Sequence, residues 1–237
     1  MCLKHPALVK NQLLAALPSE EYFRLVAYME FVPLELKQDL YIRNQPIEYV
    51  YFLDYGVASM LTVLTDGSAI EVATVGNEGM VGLPVFLGAE KIPGECFIQV
   101  SGSGLRMRVD AFKTHITVTS PLYELLQRYT QALFNQIAQS AACNRLHSIE
   151  QRMCRWLLMT ADRVETATFA LTQEFLSQML GVNRSSVSLT ASILQRAGLI
   201  DYVRGQMTIL DRSGLEDITC ECYQVVRGEF ERLLNGN

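Results

Sequence analysis

The chain has 237 residues, of which 49% are hydrophobic and 19% charged, and its formal net charge is −5. This size and balance allow two domains with separate hydrophobic cores. No apolar run is long enough to span a membrane, and residues 1–14 lack the continuous apolar core of a signal peptide. We therefore expect a cytoplasmic protein that does not enter a membrane.

The first half of the chain changes period after a short helical lead at residues 9–28. Beyond Phe31, short alternating or β-branched stretches are separated by Gly, Pro, Asn and Asp, which is typical of strands. Asp66 and Gly67 predict a hairpin turn. The predicted strands are 48–53, 57–64, 69–75, 96–100 and 105–109. Strands this close together, with no long helix between them, predict a compact barrel or jelly roll over residues 1–118.

A long helix is predicted over residues 119–146, because Ser120 can cap its first turn and Pro121 suits its first position. One face carries apolar residues at spacings of four and three, followed by smaller or polar groups. That face is formed by Leu122, Leu126, Tyr129, Leu133, Gln136 and Ser140. A stripe this regular between two domains favours a coiled-coil seam between two copies of the chain. Burial against the chain's own barrel is the alternative.

A second helix is predicted over residues 147–163, directly after the long one. Its inward stripe is Ile149, Met153, Trp156, Leu157 and Thr160. The single tryptophan is therefore expected to belong to the core and not to a ligand site.

Two short helices with a sharp joint are predicted between Leu171 and Gly198. Thr172 can cap the first helix, and Gly181 suits the left-handed conformation that ends one. Asn183 can cap the second helix. The inward stripe of the second helix is Val187, Ala191 and Leu194.

The outward face of this second helix is small and mostly polar, which suits a DNA groove. It carries Ser185, Leu189, Ser192 and Arg196. Residues 199–210 then contain two β-rich segments around Arg204 and Gly205, a turn pair typical of a tight hairpin. This order predicts a winged helix-turn-helix; two ordinary packed helices followed by a hairpin are the alternative.

The predicted winged helix-turn-helix indicates a DNA-binding domain over residues 147–237. The residues expected to contact DNA are Thr172, Gln173, Asn183, Arg184, Ser185, Ser186, Ser188, Leu189, Ser192 and Arg204. Residues 171–210 hold three arginines and two carboxylates, a slightly positive patch on an acidic chain. A patch this weak favours a dimer that doubles the phosphate contacts.

Six cysteines are scattered along the chain, with no Cys-x-x-Cys pair and no histidine at metal-ligand spacing. They are Cys2, Cys96, Cys143, Cys154, Cys220 and Cys222. A metal site would have to be assembled from distant segments, so reduced structural thiols and no metal are expected. Cys220 and Cys222, placed two residues apart in one helix, would point in different directions. A redox or metal sensor is the alternative.

The order of barrel, long helix and winged helix resembles the bacterial regulators related to the cyclic-AMP receptor protein and the fumarate-nitrate regulator. The resemblance covers nearly the whole chain. It is carried by residues 50–56, 145–159 and 171–210, by the pair Asp66-Gly67, and by Gly76, Gly79 and Gly82. It implies an α+β fold with an N-terminal jelly roll similar to cyclic-nucleotide-binding domains. It also implies a homodimeric transcription regulator that binds a palindromic operator in double-stranded DNA and contacts RNA polymerase.

The cyclic-AMP contacts of that family are missing from this chain. Members that hold cyclic AMP use a Gly-Glu pair for the ribose and an Arg-Ser-Ala for the phosphate. Here residues 82–84 offer no carboxylate, and Lys91 is the only cation in residues 91–96. Ile137 and Ala138 stand where relatives contact adenine through hydroxyl groups. We therefore expect no cyclic AMP. The effector pocket, if present, is expected around Gly76, Gly79, Gly82, Leu83 and Ile137.

Other cofactors of the family are not favoured either. The oxygen-sensing branch needs an N-terminal cysteine cluster for its iron–sulfur centre, and only Cys2 lies there. A haem ligand is not supported, because His5, His115 and His147 are isolated in the sequence.

The recognition helix also departs from the family. Many relatives carry a Glu and a second Arg there, whereas residues 184–189 read Arg-Ser-Ser-Val-Ser-Leu. Arg184 at the helix tip can fork to guanine, and Leu189 can contact only a thymine methyl group. The resemblance therefore predicts a DNA binder with a different operator.

Two functions remain open for the barrel. It senses an unknown effector or docks a partner, or the protein is a ligand-independent regulator or scaffold whose barrel serves only dimerisation and polymerase contact. An enzyme is not favoured, because the sequence offers no nucleophile–base pair, no phosphate-cradling loop and no carboxylate pair.

Overall fold

The computed structural model describes residues 9–164 and 166–234, so Cys2 and His5 lie outside the described residues. The helical lead is two short helices, α1 (Gln12–Ala15) and α2 (Ser19–Val26), because Pro18 between them cannot continue a helix. The buried Asn11 caps α1 and donates through its amide to the carbonyls of Leu53 and Gly79. These bonds fix the lead to the sheet that follows.

Within the described part of the chain, the N-terminal sheet is antiparallel and contains five strands. They are β1 (Met29–Leu34), β2 (Asp39–Tyr41), β3 (Tyr49–Val63), β4 (Ala69–Val75) and β5 (Glu95–Arg108). The order is β1-β5-β3-β4, and β2 also pairs with β5. The turn at Asp66 and Gly67 joins β3 to β4 as predicted, with Gly67 at a φ of 84°.

The predicted strands 48–53 and 57–64 are one continuous strand, and so are 96–100 and 105–109. Glycines at these points do not end the strands; they let β3 and β5 bulge and approach closely. Gly56 has a φ of 95°, and a side chain on Gly102 would collide with the backbone at Tyr55. The register between β3 and β5 shifts between Leu53 and Ala58, on both sides of Gly56.

Two short helices accompany the sheet. They are α3 (Leu83–Phe86), between β4 and β5, and α4 (Val109–His115), directly after β5. The long helix α5 (Pro121–Leu146) begins as predicted, since the Ser120 hydroxyl accepts from the backbone N–H of Tyr123 at 3.3 Å. The helices α4 and α5 carry the chain from the barrel to its C-terminal half.

The C-terminal half consists of five helices and a small three-stranded sheet in the order β6-β8-β7 within the described residues. The elements are α6 (Ile149–Val164), β6 (Thr168–Ala170), α7 (Gln173–Leu180), α8 (Arg184–Arg196), β7 (Ile200–Val203), β8 (Gln206–Ile209), α9 (Arg212–Ile218) and α10 (Cys222–Leu234). The predicted α+β fold, with a β-rich N-terminal part, a long helix and a C-terminal winged helix, is confirmed.

The predicted seam on α5 faces the chain's own sheet and not solvent. Leu122, Leu126, Tyr129, Leu133, Gln136 and Ser140 are all buried within the single chain. The Tyr129 hydroxyl donates to the carbonyl of Met80, and the Gln136 amide donates to the carbonyl of Thr74. The interpretation as a dimer seam is therefore wrong, and burial against the barrel is what the structure shows. Hydrophobic periodicity predicts which face of a helix is buried, but it does not identify the partner that covers that face.

One hydrophobic core runs through the barrel, α5, α6 and the winged helix. Trp156 lies in it as predicted, together with Met153 and Leu157. Of the other two residues of the α6 stripe, Thr160 is buried and Ile149 is half-buried. Over residues 9–164 and 166–234, every helix is too short or too polar to cross a bilayer.

Candidate nucleic-acid interface

The two helices α7 and α8 are set by their caps. The Thr172 hydroxyl accepts from the backbone N–H of Phe175, and the Asn183 side chain accepts from that of Ser186 at 2.8 Å. Between the helices, Gly181 adopts the left-handed conformation with a φ of 61°. All three sequence predictions about this joint are confirmed.

The faces of α8 also follow the prediction. Val187, Ala191 and Leu194 are buried, whereas Ser185, Leu189, Ser192 and Arg196 are exposed. Leu189 is 61% exposed. Arg184 is exposed at the N-terminal tip of the helix. The solvent face of α8 therefore offers the cations Arg184 and Arg196, hydroxyl groups and the apolar side chains of Leu189 and Ile193 to a groove.

The hairpin β7–β8 forms the wing. Arg204 and Gly205 have φ values of 51° and 78°, so both residues of the two-residue loop are left-handed, as the tightest hairpins require. The Tyr202 hydroxyl donates to the carbonyl of Leu171 at 2.9 Å, which fixes the wing to the start of α7. Burial raises the pKa of Tyr202, and the nearby Arg184 opposes that rise. The wing and the helix tip therefore lie side by side.

Some predicted contact residues are partly engaged within the domain. The Ser188 hydroxyl donates to Gln173 at 2.8 Å, and both residues are half-buried, as is Ser186. The Ser185 hydroxyl donates to Asn183. The bond from Ser188 joins α8 to α7, whereas the bond from Ser185 lies within the first turn of α8. Arg184, Leu189, Ser192 and Arg204 remain exposed.

The helix-turn-helix is docked on the barrel, a feature that the sequence reasoning missed. The ring of Phe175 on α7 packs edge-on against that of Phe97 on β5, with centroids 5.8 Å apart. The Ser59 hydroxyl lies 3.4 Å from the sulfur of Met179. Because these partners are distant in sequence and individually unremarkable, periodicity gives no signal for them.

Two polar contacts also join α6 to the barrel. Arg163 forms a buried ion pair with Glu78 at 2.8 Å, and Trp156 Nε1 donates to Glu71 at 3.0 Å. Burial raises the pKa of Glu71 to about 7, against the hydrogen bonds from Ser59 and Trp156, which lower it. The half-buried Glu71 lies between β4 and α6, and the loss of water around its carboxylate favours the protonated form.

The residues predicted for an effector pocket are pressed against helices. A side chain on Gly76 would collide with Arg163, and one on Gly79 with the ring of Tyr129. Gly82 is left-handed, Leu83 is buried, and Ile137 is half-buried against the core. The glycines therefore permit close packing of α5 and α6 on this loop. A cleft of about 290 Å³ lies nearby, lined by Glu78, Asp162, Arg163, Tyr223, Arg227 and Phe230 among others.

The cysteines need one correction. Cys220 precedes α10, whose first residue is Cys222, so the two residues do not share a helix. Both thiols lie in one buried cluster with Cys143. His147, which appeared isolated in the sequence, lies beside them. Cys96 and Cys154 are buried elsewhere.

Comparison with known proteins agrees with this geometry. Residues 151–218 match the family model of the Crp-like helix-turn-helix domain. No curated protein matches the chain. Among solved structures, FixK2 from Bradyrhizobium japonicum is 16% identical, with 81% of this chain and 98% of that chain covered and a TM-score of 0.68.

Two further structures are similar in the same way. A CRP-family transcriptional regulator from Thermus thermophilus is 19% identical, with 79% of this chain and 95% of that chain covered and a TM-score of 0.66. The c-di-GMP responsive global regulator CLP from Xanthomonas campestris is 13% identical, with 81% and 99% covered and a TM-score of 0.65. Residues 151–218 are therefore a Crp-like helix-turn-helix domain, and the chain has the fold of the Crp/Fnr transcription regulators.

Proposed function

We propose that the chain is a sequence-specific regulator that binds double-stranded DNA with α8 in the major groove and the wing beside it. The observation that carries this is the exposed face of α8, with Arg184 at its tip and Leu189 uncovered. Arg204 in the exposed turn of the wing adds a further cation, which we propose lies beside the DNA phosphates. A capped helix of 13 residues is long enough to present these groups across one half-site.

We infer that Arg184 reads a base, whereas Arg204 contacts phosphate. Arg184 stands where a recognition helix enters the groove, and a guanidinium there can fork to the O6 and N7 of guanine. Leu189 fits a thymine methyl group, and the hydroxyls of Ser185 and Ser192 accept several bases. This face differs from the Glu and Arg pattern of many relatives and supports a different operator.

Two copies of the chain would supply the second half-site. A different face of α5 from the buried stripe supports this, since exposed residues recur there at spacings of four and three. They are Gln127, Gln131, Phe134, Ala138, Ala141 and Arg145. Phe134 is 64% exposed, and small alanines beside it allow two helices to approach. We propose that α5 pairs with its symmetry mate through this face, which would set two recognition helices on one two-fold axis.

The barrel is proposed to sense an effector or dock a partner, with RNA polymerase as one such partner. Its contacts with the winged helix through Phe97, Glu71 and Glu78 give it a physical connection to the DNA-binding face. A ligand that binds one arrangement of these contacts better than another would shift the DNA-binding geometry. The ligand-independent alternative requires these contacts to be permanent.

Selection of bound sequences from random DNA, followed by anisotropy titrations, tests the DNA proposal. We expect a palindromic site with guanine in each half-site, and recovery of random sequence would refute it. Titration with nucleotides, including cyclic AMP and c-di-GMP, and with metabolites, followed by Trp156 fluorescence, separates the two roles of the barrel. A saturable change supports sensing, whereas no response to any ligand favours the ligand-independent alternative.

A further inference from the structure

Four side chains with metal-binding atoms converge where the long helix ends. Cys143 lies in the last turn of α5 and His147 directly after it. Cys220 lies between α9 and α10, and Cys222 begins α10. One ligand atom from each of these residues lies within 4.8 Å of the other three. The sequence offers only Cys-x3-His and Cys-x-Cys, and the fold brings these two halves together.

The distances suit one tetrahedral ion. Two sulfurs bound to zinc at about 2.3 Å lie about 3.8 Å apart, and a sulfur and an imidazole nitrogen lie about 3.6 Å apart. The Cys143 and Cys220 sulfurs are 3.6 Å apart, and the Cys222 sulfur is 3.4 Å from His147 Nδ1. A multi-iron cluster would separate its ligands further, because irons and sulfides lie between them.

The surroundings of the four groups fit a metal site as well. His147 Nε2 faces a Glu221 carboxylate oxygen at 3.4 Å, so the ring can present Nδ1 to an ion while its other nitrogen is held by a carboxylate. The Gln139 amide donates to the Cys222 sulfur at 3.1 Å. The imidazole is thereby oriented, and one sulfur already accepts a hydrogen bond.

The local charge is complementary. Zinc with three thiolates and a neutral imidazole carries one net negative charge. Two buried arginines lie near the cluster. Arg152 interacts electrostatically with Cys143 and Cys220, and Arg155 interacts with Cys143. Each has a buried Nε without a hydrogen-bond partner among the residues that the structure describes. Arg152 also donates to the carbonyl of Leu180, and Arg155 lies near Glu71. A metal-bound thiolate cluster would add an anion close to both buried cations.

We propose that Cys143, His147, Cys220 and Cys222 bind one Zn²⁺ ion in a closed, four-ligand structural site. Three sulfurs and one nitrogen in tetrahedral arrangement favour zinc over hard cations. Zinc binding displaces three thiol protons to solvent, with no change of oxidation state. The ion would join the start of α10 to the short junction between α5 and α6. None of the four residues belongs to the proposed DNA-binding face, so the two proposals stand or fall separately.

Zinc content and cobalt spectra of the full chain test the proposal. The protein is purified under reducing conditions through a tag without histidines, incubated with zinc and separated from unbound metal. We expect one zinc per chain by mass spectrometry of the metal. Replacement by Co²⁺ should give the visible bands of tetrahedral cobalt and a thiolate charge-transfer band. A chain that retains no zinc, or a Cys143–Cys220 disulfide in this reduced protein, would overturn the proposal.

Matched variants locate the ion. Cys220→Ser and His147→Asn should each lower zinc affinity at least about a hundredfold, whereas Cys154→Ser, a buried thiol elsewhere, should keep one zinc. Because ligand variants can misfold, Glu221→Gln provides a second measurement. It changes an exposed carboxylate, should leave the fold intact and should weaken zinc binding about tenfold to a hundredfold. Unchanged zinc affinity in Cys220→Ser and Glu221→Gln would refute the site. So would a multi-iron chromophore that forms with iron and sulfide and is lost in Cys220→Ser.

Discussion

Trp156 Nε1 on α6 donates a hydrogen bond of 3.0 Å to Glu71 on β4, so the only tryptophan reports on the contact between barrel and winged helix. Burial raises the pKa of Glu71 from 4.5 to about 7, although Arg155 and Arg163 lower it. The folded state therefore holds a proton that the unfolded state has lost between these two pKa values. Stability contributed by Glu71 is full below about pH 4.5 and is lost as the pH rises to 7.

The first prediction is that Glu71→Gln removes this pH dependence. The slope of unfolding free energy against pH between 5 and 7 should become less negative by up to about 1.4 kcal/mol per pH unit. Urea unfolding followed by Trp156 fluorescence at several pH values measures it. Glu124→Gln, which changes an exposed carboxylate on α5, should leave the slope as it is. Equal slopes for wild type and Glu71→Gln would contradict the assignment.

The buried pair of Arg163 and Glu78 gives a second prediction. Arg163→Met should destabilise the protein by about 3–5 kcal/mol, because it leaves the buried Glu78 carboxylate without its cation. The double variant with Glu78→Gln should recover much of that loss, since the amide oxygen can still accept from the Gly76 N–H. Thermal and urea unfolding of the four proteins in the cycle provide the coupling.

An exposed pair serves as the control for that cycle. Arg232 contacts Glu229 on the surface of α10, and Arg232→Met should change stability little, because solvent screens the pair. A small loss for Arg163→Met, comparable to that of Arg232→Met, would mean that the Arg163 pair does not hold the two domains together.

Packing at Gly79 gives a third prediction. Gly79→Ala should cost about 1–3 kcal/mol, because the new methyl group collides with the Tyr129 ring on α5. Gly228→Ala is a matched control on α10, where the added methyl group meets open space. It should stabilise the helix by about 0.5–1 kcal/mol. If both substitutions change the free energy of unfolding in the same direction, the loop that contains Gly79 does not pack against α5 as described.

The local features of the fold could be predicted from the sequence because short-range chemistry decides them. The caps Thr172 and Asn183, the left-handed Gly181 and the wing turn at Arg204 each depend on residues within one turn of the chain. The same holds for the start of α5 at Ser120. Periodicity also identified correctly which face of α8 is buried.

Long-range partners could not be predicted in this way. The stripe around Tyr129 was recognised as buried, but the sequence does not say whether a second copy or the chain's own sheet covers it. The four-residue metal cluster depends on α10 returning to the end of α5, and no spacing in the sequence encodes that return. The sequence pattern also splits β3 and β5 into two strands each, because bulges and turns both use glycine.

The fourth prediction concerns the recognition helix. Arg184→Ala should weaken binding to the selected operator by about 1–3 kcal/mol and leave thermal stability unchanged, because the side chain is exposed at the tip of α8. Anisotropy titrations on operator and random DNA at one salt concentration measure both effects. Arg204→Ala should instead weaken binding to both DNAs alike and reduce the salt dependence. Equal losses on the two DNAs for Arg184→Ala would make that residue a phosphate contact.

The fifth prediction separates the two faces of α5. Phe134→Glu should convert a dimer into a folded monomer, because it places a charge on the exposed stripe that we propose to be the self-pairing face. Sedimentation velocity measures the mass, and circular dichroism verifies the fold.

Phe31→Glu, at a similarly exposed phenylalanine on β1, should leave the dimer intact. Leu126→Glu should instead unfold the chain, because that side chain is fully buried in its own core. A Phe134→Glu variant that still sediments as a dimer would place the interface elsewhere. A monomeric wild type would remove the structural basis for reading a palindrome.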